Sequence, residues 1–253
     1  MKQYTEKDFE ELQIKDDFMF GIVMREPCFC KQFLERVLGV KISRINYPDY
    51  QKTIDLKADA KGIRLDIYVW DEEGNIYDID MQASEKKNIP KRIRYYQGMV
   101  DLNILKKGED YKKLKRSFII FVCTFDVFKE GRHIYTFENR CLQNPGLVLG
   151  DDTVKIILNT KGTMDDVTPE LKRLLDYIDS NEPEDEYTRE LEKEVESVKK
   201  NEKWKVNYMT LQMRYQEKYE EGLEQGEKIG WENGEKVGRQ KGEQIGREVK
   251  YTP

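Results

Sequence analysis

The 253-residue sequence contains one histidine, His133. That scarcity excludes histidine-rich metal centres and mechanisms that need two imidazoles, and it leaves a Ser-His-Asp arrangement a single candidate base. Any catalysis is therefore expected to rest on carboxylates. The four cysteines, Cys28, Cys30, Cys123 and Cys141, form no Cys-x-x-Cys pair, so a zinc site is not expected and reduced, at least partly buried thiols are. No run of about 18 apolar residues exists, so no membrane span is expected. The opening MKQYTEKDFEELQ lacks the apolar stretch of a signal peptide, which makes the expected location cytoplasmic. An excess of positive charge is also missing: 44 Lys and Arg stand against 49 Asp and Glu, a net charge of −5, so no whole-molecule basic field advertises a nucleic-acid partner.

What is present is a mixed pattern of helices and strands. Phe18 and Ile22, then Phe29, Phe33, Leu34, Val37 and Leu38, recur at helical spacing and end at Gly39, which predicts two short helices broken near Pro27. KISRINYP reads as a strand, IRLDIYVW (63–70) as a stronger one, and IYDIDMQAS (76–84) as its return partner. The turn DEEGN between them carries a hairpin signal in Gly74-Asn75. Residues 91–107 read as a helix with Ile93, Tyr96, Val100 and Ile104 on one face. SFIIFVCTF (117–125) has the continuous apolar character of a buried strand, HIYTFENRC is expected to pair beside it, and VKIILNTKG (154–162) closes the globular part. The expected organisation is an α/β domain over 1–165, a short helix and acidic linker over 166–186, and a long charged helix over 187–253. Leu191, Val195, Val198, Trp204, Tyr208, Leu211 and Tyr215 give that helix a narrow apolar seam of the kind that packs on one partner helix.

The seam runs into a line of glycines at a strict interval of four: Gly222, Gly226, Gly230, Gly234, Gly238, Gly242 and Gly246. Each costs a helix roughly 1 kcal/mol against alanine. At 3.6 residues per turn the line drifts by about 40° per step and forms a shallow winding groove. Two readings stay open: a self-association helix with close backbone contact, or a low-complexity tail only partly helical.

The candidate chemistry lies in the hairpin. Asp66 sits inside RLDIYVW and Asp80 inside YDIDMQ; carboxylates in apolar strands are costly unless paired. Gln82 and Asp78 share the face of Asp80 because strand side chains alternate. Oxygen donors converging on a strand pair suit Mg²⁺, which takes one or two carboxylates, waters and substrate phosphate. The pattern equally allows these acids to lie on the solvated face of an antiparallel sheet.

Together IKDDFMFGIVM (14–24), GIRLDIYVWDEEGNIYDIDMQ (62–82), PKRIRYYQGMVDLNILKKGEDYKKL (90–114), FIIFVCTFDVF (118–128), YTFEN (135–139), LNTKG (158–162) and KWKVNYM (203–209) resemble the PD-(D/E)XK nuclease superfamily, in its branch of recombination-promoting nucleases and transposases. The resemblance implies a restriction-endonuclease-like core, α-β-β-β-α-β with a mixed sheet, followed by a long C-terminal helix. It implies a metal-dependent endodeoxyribonuclease using Mg²⁺, or Mn²⁺ in its place. By position Asp66 matches the central metal-binding acid, Asp80 the second acid, and Gln82 the place of the superfamily's lysine. The branch usually shows Glu-x-Gln where this chain has Asp-x-Gln. Asp17 is the candidate for the acid on the leading helix, followed by Asp16 and Glu35. Pro48-Asp49 with Asp59-Ala60-Lys61 spells a competing motif, set aside because its surroundings are too polar for a core strand. Residues 86–116 hold eleven Lys and Arg against three acids, and Arg92, Arg94 and Tyr95 are the expected DNA contacts. The expected partners are DNA and a second copy of the chain, bound through the C-terminal helix.

Overall fold

The computed structural model describes residues 7–47, 53–54, 63–64, 67–85, 88–105 and 107–250. The chain divides into two compact units. One spans Glu10–Asn201; the other joins the N-terminal residues up to Phe9 with the chain from Glu202 onward.

The first unit opens with α1 (Asp17–Val23) and α2 (Pro27–Leu38). The break falls where the sequence predicts it, with Pro27 on the first turn of α2, where its missing N–H costs nothing. Gly39 ends α2 in the left-handed region, φ 66°, and donates its N–H to Glu35 O. Short β1 (Ile45–Asn46) is followed by β2 (Thr53–Ile54) and β3 (Ile63–Arg64), which pair with each other. Then come β4 (Ile67–Asp71), β5 (Ile76–Gln82), α3 (Ile89–Ile104), β6 (Ser117–Cys123), β7 (Ile134–Phe137) and β8 (Thr153–Asn159). Two helices, α4 (Pro169–Ser180) and α5 (Glu186–Lys199), complete the unit.

Six strands form one mixed sheet in the order β1-β4-β5-β6-β8-β7. The β4–β5 hairpin is antiparallel, and its turn is organised by Asp71. The Asp71 carboxylate accepts from the Glu73 and Asn75 amides and from the Tyr77 hydroxyl, while Gly74 takes φ 84°. Beyond α3 the chain returns as β6, parallel to β5, and β8 lies parallel to β6. This is the α-β-β-β-α-β core expected from the sequence, with a mixed sheet. Two details differ. β7 does not pair beside β6: the parallel β8 takes that place, and β7 lies antiparallel on the outer side of β8. The segment read as one strand over 63–70 divides into β3 and β4, which belong to different sheets.

The face of the sheet that carries Tyr68, Ile119, Phe121, Cys123, Tyr135 and Ile157 is covered by Ile89, Ile93, Tyr96, Met99 and Val100 of α3 in one buried cluster. Residues alternating with these, among them Val69, Ile79, Ile120 and Val122, are equally buried, and α1 lies against β5.

The helix expected to run unbroken from Tyr187 is interrupted at Lys200–Asn201. Tyr187, Leu191, Val195 and Val198 of α5 are buried, and α5 packs on α1 and α4. This half of the apolar seam thus finds its partner within the chain. The acidic linker is also anchored. Asp185 caps α5 in a reciprocal box with Thr188, and its Oδ2 accepts from Arg36 Nη1 at 2.8 Å. The same Nη1 donates to Glu170 O at 2.7 Å, and the guanidinium lies 4.5 Å from the Tyr187 ring centre.

In the second unit α6 (Glu202–Lys250) is one 49-residue helix, about 74 Å long at 1.5 Å per residue. Tyr208 is buried there; its hydroxyl donates to Lys7 O at 2.9 Å and its ring lies 5.8 Å from Phe9. The glycines from Gly222 to Gly242 are all helical, and a methyl group added at any of them would meet nothing within 4 Å.

Candidate active site

β5 presents Asp78, Asp80 and Gln82 on the face that α3 covers. Strand alternation puts the three on one side, and the parallel register sets Asp80 beside Phe121 and Gln82 beside Cys123. All seven residues of β5 are buried, with Asp78 0%, Asp80 3% and Gln82 4% exposed. The solvated-face alternative therefore does not describe these side chains. A helix lies over that face, and strands flank β5 on both sides.

A buried carboxylate requires compensating charge and hydrogen bonds, and α3 supplies them. Pro90 on its first turn starts the helix, which brings Arg92 over the sheet with Tyr96 one turn on. Arg92 Nη2 donates to Asp80 Oδ2 at 3.3 Å and to the Tyr96 hydroxyl at 3.0 Å, while Nη1 donates to Gln82 Oε1 in a short contact. Gln82 Nε2 donates to Asp80 Oδ1 at 2.5 Å and to Met81 O at 3.0 Å. The guanidinium also lies 5.5 Å from the Phe121 ring centre and 5.6 Å from that of Tyr96. Carboxylate, amide and guanidinium thus form a closed ring of hydrogen bonds in which the Gln82 amide has a defined orientation.

The environment is visible in its neighbours. Burial, then the Asp80 charge, raises the Cys123 thiol to about 12, so this cysteine is held protonated and inert. Burial and then Asp80 also push the Tyr96 phenol far above its ordinary value, so it remains a neutral hydrogen-bond partner. Burial raises the Tyr68 phenol, and Asp78, opposite it in the hairpin register, adds to the shift.

The structure brings together Asp80, Gln82 and Arg92. Arg92, expected at a DNA phosphate, points inward, and its aromatic partner is Tyr96 and not the expected contact residue Tyr95. The helical spacing held the signal: Arg92 lies four residues before Tyr96, which belongs to the predicted buried face. Arg94 and Tyr95 are exposed on α3, Tyr95 at 41%. Asp17 is exposed at the start of α1, and its Oδ1 accepts from the Phe18 amide at 2.8 Å. Asp16 precedes the helix and accepts from Gln13 N at 2.8 Å. Glu35 closes the end of α2: burial raises its carboxyl, but the Ile42 amide, Lys31 and Lys41 outweigh this and leave it below the usual range. Asp66 lies outside the described residues, as do Asp49, Asp59 and Lys61 of the competing motif. Among the described residues no three acidic, histidine or cysteine side chains converge as a metal cage. Asp80 and Gln82 nevertheless offer hard oxygen donors side by side, the donor chemistry that suits a small divalent cation.

A mixed sheet with a buried Asp-x-Gln strand, roofed by a helix that carries basic and aromatic residues, is a nuclease-like core. The chain belongs to the PD-(D/E)XK nuclease family transposases, whose family model matches residues 19–228. No curated protein and no solved structure matches the chain.

Proposed function

We propose that the protein is a Mg²⁺-dependent DNA endonuclease that hydrolyses phosphodiester bonds, with Mn²⁺ able to replace Mg²⁺. The observation that carries this reading is the buried Asp80–Gln82 pair on β5, in a chain of a nuclease family. Asp66 and Asp80 are the proposed metal ligands. A bound divalent cation would lower the pKa of its water and neutralise charge on the scissile phosphate. Gln82 would orient the attacking water through its amide, and Asp17 is the proposed further acid from the leading helix. Arg94 and Tyr95, exposed on α3, with Arg92 beneath them, are the proposed DNA contacts. Phosphate contacts of this kind supply most nonspecific affinity.

We place the protein in the cytoplasm, and among the described residues no helix is long and apolar enough to cross a membrane. Self-association through α6 is part of the same proposal. The open glycine line supports it, since those glycines have no packing role of their own within the helix.

A second reading, a DNA-binding scaffold without catalysis, is favoured by one observation: Arg92 already neutralises Asp80. Nicking of supercoiled plasmid by the full chain decides between the two. Nicking with Mg²⁺ that is lost in EDTA and in Asp66→Ala is the expected result. DNA binding without nicking, in Mg²⁺ and in Mn²⁺ alike, would refute the endonuclease.

A further inference from the structure

Two hard donors that β5 turns toward α3, the Asp80 Oδ2 and Gln82 Oε1 oxygens, are both held by one guanidinium. A divalent cation needs those lone pairs at about 2.0–2.1 Å for Mg²⁺ and repels a neighbouring cation. A metal and an inward Arg92 therefore compete for this pair of oxygens. Arg92 also has a way out. Its side chain is 29% exposed, whereas that of Asp80 is 5% exposed, so the guanidinium lies at the solvent end of the cluster. Its long aliphatic stem can carry the charge outward by rotamer changes alone, with no movement of α3. Released, it emerges on the helix that already exposes Lys91, Arg94 and Tyr95.

We propose that Arg92 is an internal counter-ion that competes with the divalent metal for Asp80 and Gln82. The metal displaces it and so frees it to bind a DNA phosphate. This rests on the metal-site reading given above. It adds a coupling: metal binding prepares a phosphate contact, and by reciprocity DNA that captures the outward Arg92 tightens metal binding.

The test is Mn²⁺ titration by calorimetry of the full chain and of Arg92→Gln, Arg92→Lys and Asp80→Asn, repeated with a hydrolysis-resistant phosphorothioate duplex. Without DNA, Arg92→Gln should bind Mn²⁺ about tenfold more tightly than wild type, within the usual range of coupling between sites. Arg92→Lys should lie between them, and it serves alone if circular dichroism shows the glutamine variant unfolded. The duplex should tighten Mn²⁺ binding in wild type, and by a smaller factor in Arg92→Gln, where only the direct phosphate–metal contact remains. Arginine side-chain NMR distinguishes displacement from a charge effect through space. The Nε–H resonance absent from Arg92→Lys should shift and exchange faster with water when Mg²⁺ saturates the wild type. An unmoved resonance, or equal Mn²⁺ affinity in wild type and both Arg92 variants with binding lost in Asp80→Asn, overturns the competition and leaves the metal site standing. Undiminished binding by Asp80→Asn removes the metal from Asp80, and the competition falls with it.

Discussion

Asp80→Asn gives a prediction whose sign is informative. Asparagine keeps the shape and can still accept the Gln82 Nε2 bond, so the change removes mainly charge. A charge-assisted hydrogen bond contributes about 1.5–3 kcal/mol. The Arg92 Nη2–Asp80 Oδ2 contact at 3.3 Å is long, and Arg92 is partly exposed and can retreat to water, so the lower end of that range applies. Against it stand the relief of burying a carboxylate and the removal of a like charge two residues from buried Asp78 on the same face. The balance is a loss of about 1 kcal/mol in metal-free protein, or roughly 2–4 °C in melting temperature for a unit of this size. Urea unfolding in EDTA measures the first quantity and a thermal scan the second. Mg²⁺ at 100 times its dissociation constant should then stabilise wild type by about 2.7 kcal/mol and the variant far less. If Asp80→Asn proves as stable as wild type in EDTA, or more so, Asp80 is an uncompensated charge and the role assigned to Arg92 is wrong.

Two more outcomes can be checked. Arg36→Ala should cost about 2 kcal/mol in urea unfolding at neutral pH, because it removes charge-assisted bonds to Asp185 and Glu170 O and the contact with Tyr187. Burial raises the Asp185 carboxyl, but the Thr188 amide and Arg36 bring it below its ordinary value. The stability it confers is therefore full above the unfolded pKa and lost as pH falls through the lower folded one, and an acid titration of stability should show less of this loss in Arg36→Ala. Gly222→Ala with Gly226→Ala and Gly230→Ala should stabilise α6 against thermal melting followed by circular dichroism, by up to roughly 1 kcal/mol of propensity per site. If the glycine groove holds a second copy, the same triple variant should weaken the oligomer in sedimentation; unchanged sedimentation would count against that use of the groove.

The core could be read from the sequence because its signals are local. Pro27 and Gly39 punctuate α2, Gly74-Asn75 turns the hairpin, and the apolar run within 117–123 has the character of a strand buried on both faces. The place of β7 was not legible, since strand order depends on contacts between distant segments and HIYTFENRC carries no mark of its neighbour. Nor was the fate of the seam at Leu191, Val195 and Val198. An amphipathic stripe shows that a helix needs a partner without showing whether that partner is α1 of the same chain or another copy. Asp80 and Gln82 stood out as polar residues in an apolar strand. The charge of Arg92 and its place in the family-like stretch point to a DNA phosphate, whereas the aromatic roof that draws it inward, Tyr96 and Phe121, comes from two separate elements.

The packing of α5 on α1 has a consequence for synthesis. The Tyr187 hydroxyl donates to Phe29 O across 158 positions of sequence, and Met19, Phe20 and Val23 of α1 are buried in a unit in which α1 packs on α5. At roughly 5–20 residues per second, about 10–35 s separate the translation of Val23 from that of Lys199. For that interval the side of α1 that packs on α5 has no native cover on the ribosome. A nascent chain halted before α5 should therefore engage chaperones and remain open to protease at α1, and release of the remaining codons should close it.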